Sequence, residues 1–338
     1  MFSFIFEKVY YLISLILFII ISLIFGTEKK NKNKNEIIKK FTSLFSKFNK
    51  TIQNEFKKDL NLNYFISEYN KIDQSFINVK YYVFGKKIKV SSDTKIFSIG
   101  DIHQEGKKFL IVINKLIDDG ILNDSLVIQG DNYLILTGDF FHRGETLFLT
   151  LKLLFLLKIN NPEKVIILRG NHETLSLLID MPDDQLIELF KIIYPFKLLL
   201  PFYLLPSILI VEFPSGKKIH YSHGAIDRDV FFSGYNEGMF DIYQEKKLDN
   251  ENKYIWFDLL ENFHDKKIIN DYELNYYAEI SEIDLFIYGH IHNENTYGVK
   301  ITKLDNCIAL NHVLYQSQIP SIVVVSEKNN NLDIILIS

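Results

Sequence analysis

Three short stretches, Ser98-Ile-Gly-Asp-Ile-His103, Thr137-Gly-Asp-Phe-Phe-His-Arg-Gly144 and Leu168-Arg-Gly-Asn-His-Glu173, decide the reading of the fold. Each follows an apolar run (Lys95 to Ile99, Tyr133 to Leu136, Val165 to Leu168) and carries carboxylate, imidazole or amide groups that a buried strand has no reason to hold. In an open α/β sheet, ligands bind at the carboxyl ends of the strands. Three strand ends therefore aim metal-type ligands at one place.

Between these stretches the pattern is helical. Lys107 to Asp118 sets Phe109, Leu110, Val112, Ile113 and Leu116 at helical spacing, and Thr146 to Leu157 reads as a second helix. This alternation predicts βαβ units and a largely parallel core sheet. Upstream, Tyr81 to Val90 reads as a hairpin turning at Gly85-Lys-Lys. Downstream, Leu178 to Leu205 reads as mostly helical, broken by prolines at 195, 201 and 206. Ser207 to Phe213 and Lys217 to Ser222 read as strands joined by Pro214-Ser-Gly216, and further strands are expected at Asp284 to Tyr288, Cys307 to Asn311, Ser321 to Ser326 and Leu332 to Ile337.

The chain has 338 residues, enough for one large domain or two ordinary ones. Its net charge of −4 argues against a dedicated nucleic-acid binder, which needs Lys and Arg in excess. Cys307 stands alone, so no intramolecular disulfide is possible. Only three arginines occur among some three dozen lysines: Arg143, Arg169 and Arg228. In so lysine-rich a chain, arginine marks places where a planar, bidentate guanidinium is needed.

Residues Val9 to Gly26 form an uncharged apolar run of 18 positions, long enough to cross a bilayer as a helix. A single-pass anchor is the expected reading. A cleaved signal peptide is the alternative, for which Ile24-Phe-Gly26 is a poor cleavage site; a buried core helix is the third. The flank from Thr27 to Lys40 carries six lysines and two glutamates, against one of each before the run, which places the bulk of the chain on the cytoplasmic side. Glu36 to Lys58 then reads as a basic amphipathic helix, with Ile37, Ile38, Phe41, Leu44, Phe45, Phe48, Ile52 and Phe56 at helical spacing and lysines among the remaining positions. The apolar face can rest on anionic lipid or pack on the folded domain. The expected organisation is a membrane segment over 1–26, a basic linker helix over 27–70 and a catalytic domain over 71–338.

Two further strand ends complete the set: Ile219-His-Tyr-Ser-His-Gly224 and Phe286-Ile-Tyr-Gly-His-Ile-His292. The five motifs in this order resemble the calcineurin-like metallophosphoesterase superfamily, and Arg143-Gly144 with Leu168-Arg-Gly-Asn-His-Glu173 resembles its phosphoprotein phosphatase branch of serine/threonine phosphatases. The resemblance runs from about Lys95 to the C-terminus. It implies a two-sheet sandwich flanked by helices, a four-layer α/β/β/α arrangement, with a two-metal site where the motifs meet. It also implies that Asp101, His103 and His292 bind one metal, that Asn171, His223 and His290 bind the other, and that Asp139 bridges them. Such oxygen and imidazole donors suit Mn²⁺, Fe or Zn²⁺. Two such ions would activate a bridging water for in-line attack on phosphorus.

By the same resemblance Arg143 holds phosphate oxygens and His172 is the general acid. Three departures stand out. The branch's Asp-Arg-Gly is here His142-Arg143-Gly144, which removes the carboxylate that would raise the pKa of His172. The glycine usual after Asp-x-His is displaced by Gln104-Glu105-Gly106. A second phosphate arginine is missing, with Arg228 its conjectural substitute. Arg169 is expected to brace its loop, His220 to be structural, and His312 to border the site. The expected activity is phosphomonoester hydrolysis on phosphoserine or phosphothreonine in proteins. The rivals are a nucleotide or dinucleotide polyphosphate hydrolase and a non-catalytic phosphatase-like binding protein.

Overall fold

The computed structural model describes residues 31–59, 85–173, 182–194, 197–198, 201–202, 204–224, 271–290, 292, 296–315 and 317–338. Two mixed sheets stack face to face. The first holds β2 (Lys95–Ile99), β3 (Asn132–Leu136), β4 (Val165–Ile167), β10 (Ile322–Lys328) and β11 (Asn331–Ile337) in the order β11-β10-β2-β3-β4. The second holds β1 (Gly85–Lys89), β5 (Ile208–Glu212), β6 (Lys218–Ser222), β7 (Leu285–Tyr288), β8 (Val299–Lys303) and β9 (Ile308–His312) in the order β1-β5-β6-β7-β9-β8. The central pairs β2–β3–β4 and β6–β7–β9 are parallel, and the flanking ones are mostly antiparallel.

This arrangement explains why the motif-bearing strands are apolar on both faces. Along β2, Ile96 points into the core between the sheets with Ile135, Ile166, Leu209 and Leu285, while Phe97 and Ile99 point to the helices. The helical layer over the first sheet comprises α1 (Asn31–Asp59), α2 (Gly106–Asp118), α3 (Leu147–Asn160) and α4 (Asp184–Phe190). On α2 the buried residues are Phe109, Val112, Ile113 and Leu116, and Leu110 is exposed. Against the second sheet lies α5 (Asp271–Ser281), whose Tyr277 meets Phe286 of β7 and His220 of β6.

One strand expectation needs correcting and one strand is added. Gly85 is not a hairpin turn: Gly85–Lys89 is one strand, paired in parallel with β5 from Gly85↔Ile208 to Lys89↔Glu212. Among the described residues it is an end strand of its sheet, and its lysines pair with Glu55 and Glu212, charges of the kind that discourage further pairing. Val299–Lys303 is a further strand, antiparallel to β9, and none of its residues is buried, so no apolar run marks it in the sequence.

Of the two fates open to the N-terminal amphipathic helix, packing on the domain is the one observed. Phe41, Phe45, Phe48 and Ile52 are buried, and the Phe48 ring stacks on Phe155 of α3 at 4.4 Å. Burial of each such side chain contributes about 1.5–3 kcal/mol, which suffices to seat the helix. Glu55 on its last turns pairs with Lys86 at 2.8 Å and with the buried Lys158, whose Nζ also donates to the carbonyls of Pro162 and Val165. Lys39, Lys40, Lys47 and Lys50 face solvent. Among the described residues no helix is long and apolar enough to cross a membrane; the run expected to do so, 9–26, lies outside them.

Candidate metal centre

The five strand ends meet at one point between the sheets. Asp101 and His103 follow β2, Asp139 follows β3, Asn171 follows β4, His223 follows β6, and His290 and His292 follow β7. The loops are knitted by backbone bonds: the amides of Ile102 and His103 donate to the Asp139 carbonyl at 3.1 and 2.8 Å, and that of Gly289 donates to the carbonyl of His223 at 2.8 Å. Sharp turns at the strand ends bring the donors inward. His103, Gln104, Asp139, His142, Arg143 and His290 all have φ between 44° and 72°. Non-glycine residues adopt that region at a cost, and they persist there only where the surroundings over-determine them.

The ligand atoms form two groups sharing one carboxylate. In the first, His103 Nε2 lies 3.3 Å from Asp139 Oδ2 and 3.2 Å from His292 Nε2, and His292 Nε2 lies 3.5 Å from Asp101 Oδ2. In the second, His223 Nε2 lies 3.2 Å from Asp139 Oδ1 and 2.9 Å from Asn171 Oδ1. His290 offers a ring nitrogen within 4.8 Å of the Asp139 and His223 donors. The two oxygens of Asp139 thus face different groups, as a bridging ligand requires. His103 and His223 each donate Nδ1–H to a carbonyl, of Phe141 at 3.0 Å and Thr137 at 2.9 Å, leaving Nε2 as the free donor atom.

These residues fit divalent metal ions. Asp101 Oδ1 is buried and accepts no hydrogen bond among the described residues. A Cβ on Gly289 would stand 1.9 Å from that same oxygen, and one on Gly170 would stand 2.2 Å from Asp139 Oδ1, so only glycine lets the backbone approach both carboxylates. The electrostatics also ask for positive charge. Burial pulls the pKa of His223 down, yet the carboxylates of Asp139 and Asp101 outweigh it and raise the value to about 9. Burial alone pushes Asp139 up, but His223 and His172 hold it well below the usual carboxylate range. A proton on His223 occupies the role that a metal ion takes in such a carboxylate pair.

Around the donors lie the remaining candidates. His172 Nε2 is 3.8 Å from Asp139 Oδ2, and its Nδ1 is 2.9 Å from Nδ1 of His142. Burial is the main cause lowering His172 to about 4, and neighbouring His142 and Arg143 add to it against the opposing pull of Asp139. Arg143 Nη1 lies 2.6 Å from His292 Nδ1, which puts the guanidinium at the rim of the first group. Arg169 is buried, with Nη2 donating to Ser207 Oγ at 3.3 Å and its amide to the Pro206 carbonyl, as a loop brace should. Both ring nitrogens of His312 are engaged outside the donor groups: Nδ1 accepts the Gly100 amide at 3.1 Å, which steadies the end of β2, and Nε2 lies 3.4 Å from Ser321 Oγ. Arg228 lies outside the described residues.

Two contributors carried no signal that sequence reasoning used. Glu173 accepts three backbone amides, from Phe140 at 2.7 Å and from Asp139 and Gly170 at 2.8 Å, tying the second and third motifs together. Burial and the Asp139 carboxylate push it up to about 8, and two of those amides act in the opposite direction. Tyr315 sets its ring at 5.1 Å from that of His103 and 5.7 Å from that of His292.

A centre of two donor groups sharing one carboxylate, at the strand ends of stacked mixed sheets, defines a metal-dependent phosphoesterase scaffold. The chain belongs to the calcineurin-like phosphoesterase family, whose model matches residues 94–294. No curated protein matches it. Among solved structures it is similar to a protein serine/threonine phosphatase from Saccharomyces cerevisiae with similarity to human phosphatase PP5, at 15% identity and TM-score 0.61, over 89% of this chain and 90% of that one. A cold-active protein-tyrosine phosphatase of a psychrophilic Shewanella species is similar at 17% identity and TM-score 0.50, over 76% and 81%. At these identities the likeness concerns the fold.

Proposed function

We propose that this chain hydrolyses phosphomonoesters, with phosphoserine and phosphothreonine in proteins as its substrates, in a domain tethered to the cytoplasmic face of a membrane by residues 9–26. The observation that carries the reading is the pair of donor groups joined through Asp139, with Arg143 and His172 on their rim. Asp101, His103, His292 and Asp139 would hold one divalent ion, and Asp139, Asn171, His223 and His290 the other. Such ions supply an activated water and neutralise phosphoryl oxygens. The chain's own residues do the rest.

Arg143 presents a planar fork to two phosphate oxygens, which orients the phosphoryl group and offsets the charge that grows on it. Its contact with His292 Nδ1 is the competing use of the same fork. If His292 held a metal ion, its other ring nitrogen would carry the proton, could no longer accept from Arg143, and would leave the guanidinium to the substrate. His172, beside Asp139 and at the edge of the centre, supplies a proton to the departing oxygen through Nε2, with Nδ1 held by His142.

A second reading, hydrolysis of a phosphoanhydride such as a dinucleotide polyphosphate, is favoured by the same His142–His172 contact. With His172 lowered to about 4, the proton donor is mostly neutral at pH 7. An alkoxide leaving group needs that proton, whereas a phosphate leaving group does not. Turnover of the full chain loaded with Mn²⁺, Fe²⁺ or Zn²⁺ on a phosphoserine peptide and on a dinucleotide polyphosphate separates the two. The first reading expects the phosphopeptide to be the better substrate and Asp139→Asn to abolish its turnover. Two bound metals without turnover of either substrate would leave only a binding role.

A further inference from the structure

Arg143 sits in an unusual piece of backbone. His142 and Arg143 are consecutive non-glycine residues at φ 66° and 72°, a conformation that L-residues leave unless something holds them. Within the turn the Gly144 amide donates to the His142 carbonyl at 3.0 Å, and just before it the Gln104 amide donates to the Phe140 carbonyl at 3.1 Å. The clamp comes from outside. Gln185, in the first turn of α4, spans the turn with its side-chain amide. Its Nε2 donates to the Gly144 carbonyl at 3.3 Å, and its Oε1 accepts the Leu147 amide at 2.8 Å. One side chain thus fixes both ends of the segment that follows Arg143.

Gln104 completes the seat from the opposite side. It is fully buried, and its carbonyl accepts both the amide and the hydroxyl of Thr146, at 2.9 and 2.7 Å. Its side-chain Nε2 donates to Asp183 Oδ2 at 2.8 Å, and its Oε1 lies 3.4 Å from Gln185 Nε2. Asp183 in turn caps α4 through the Leu186 amide, and Leu186 and Leu189 are buried in the helical core, so α4 is a fixed platform. Gln104 is the residue that displaces a glycine expected after Asp-x-His, and it adopts φ 62° although it is not one. The strain at this position accompanies a side chain that ties the first motif to α4.

We propose that Gln185, seated on Gln104, is the positioning residue for Arg143: the amide clamp holds the strained turn so that the guanidinium meets the phosphoryl group. The proposal rests on the reading of Arg143 as the phosphate-binding arginine. Neither glutamine touches substrate; both act through the backbone of residues 142–147.

The test is a double-mutant cycle read by binding of inorganic phosphate to the Mn²⁺-loaded full chain, by calorimetry, with metal content and thermal midpoint recorded for each variant. Gln185→Met keeps the volume and removes the amide. Gln104→Gly relieves the φ 62° strain and keeps the backbone bonds to Thr146. Arg143→Ala is expected to weaken phosphate binding about 100-fold and Gln185→Met about tenfold, with a smaller loss for Gln104→Gly and unchanged metal content. In the Arg143→Ala background, Gln185→Met should add nothing. An additive loss, or no loss from Gln185→Met alone, overturns the clamp while leaving Arg143 as phosphate binder. Full-strength phosphate binding by Arg143→Ala overturns that reading and the clamp with it.

Discussion

His103 and His223 on the metal side of the site each donate Nδ1–H to a main-chain carbonyl, whereas His142 and His172 on the proton-donor side meet Nδ1 to Nδ1 at 2.9 Å. The first pair is set by backbone that cannot change its hydrogen-bonding sense, so Nε2 is the nitrogen left to face a metal ion whenever the ring is neutral. The second pair shares one proton between two bases, and its sense follows whichever ring holds that proton. Folding alone therefore fixes which nitrogen the metal side presents. The proton-donor side depends in addition on pH and on the partner residue.

The largest effect should come from breaking the element common to both donor groups. Asp139→Asn keeps the shape but removes the charge that faces His103 and His223. It is expected to lower turnover by about 10³-fold or more and to reduce bound metal below two per chain, measured by elemental analysis. Loss of turnover with both metals retained would mean that Asp139 serves the reaction in another way. Next in size is His172→Asn. A general acid matters in proportion to the basicity of the leaving oxygen, so the loss should be about 100-fold on a phosphoserine peptide and under tenfold on an aryl phosphate. Equal losses on both would remove His172 from the role of proton donor.

The contrast is sharpened by His142→Asp. At pH 7 a group with a pKa near 4 is protonated in roughly one molecule in a thousand, and each unit of acidification raises that share tenfold until the pKa is reached. Phosphopeptide turnover should therefore rise as the pH falls from neutral, until the metal-binding histidines take up protons. A carboxylate at position 142 favours the charged imidazole and raises its pKa. The variant should gain about tenfold in kcat at pH 7 on the phosphopeptide and little on an aryl phosphate, with its optimum moved toward neutrality. An unchanged pH profile would show that position 142 does not set the protonation of His172.

Much of this site was legible because its chemistry sits at strand ends. Asp101, Asp139 and Asn171 are polar residues directly after runs such as Phe97 to Ile99 and Leu134 to Leu136 that are buried on both faces, and nothing but a shared ligand explains them. The hairpin expected around Gly85 went wrong because Gly-Lys-Lys looks like a turn, while the partner that makes it a strand is β5, more than a hundred residues away. The amphipathic helix could not be assigned to lipid or protein from its own pattern, since both offer an apolar surface. Phe148, Phe155 and Phe202, distant in sequence, decide it. The roles of Glu173 and Gln185 were invisible for a related reason: they bond backbone amides and carbonyls, which every residue has, while the side-chain partners of Gln104, Asp183 and Gln185, lie far along the chain.

The smallest expected effect tests the comparison from outside the site, with a histidine that among the described residues has neither a metal group nor a second imidazole beside it. His220 is fully buried on β6, with Nδ1 at 2.7 Å from the Tyr277 hydroxyl and its ring 4.5 Å from that of Phe286. Burial lowers its pKa to about 3, so the native chain keeps it neutral over the whole working range. The unfolded chain binds a proton there below about pH 6.5 and the native one does not, so stability falls with pH from that point down to about 3. By pH 5 this costs about 2 kcal/mol. His220→Phe removes that cost along with the hydrogen bond to Tyr277, itself worth about 1 kcal/mol. The two effects oppose each other and have different pH dependence. The variant should therefore be less stable than the parent at pH 7 and more stable at pH 5, as read by urea unfolding at the two values. Titration of the metal-site histidines and of His312 is common to both proteins and cancels in the difference. Parallel stability curves with no crossing would mean that His220 takes up its proton in the native state, and that burial on this sheet does not hold a lone imidazole neutral.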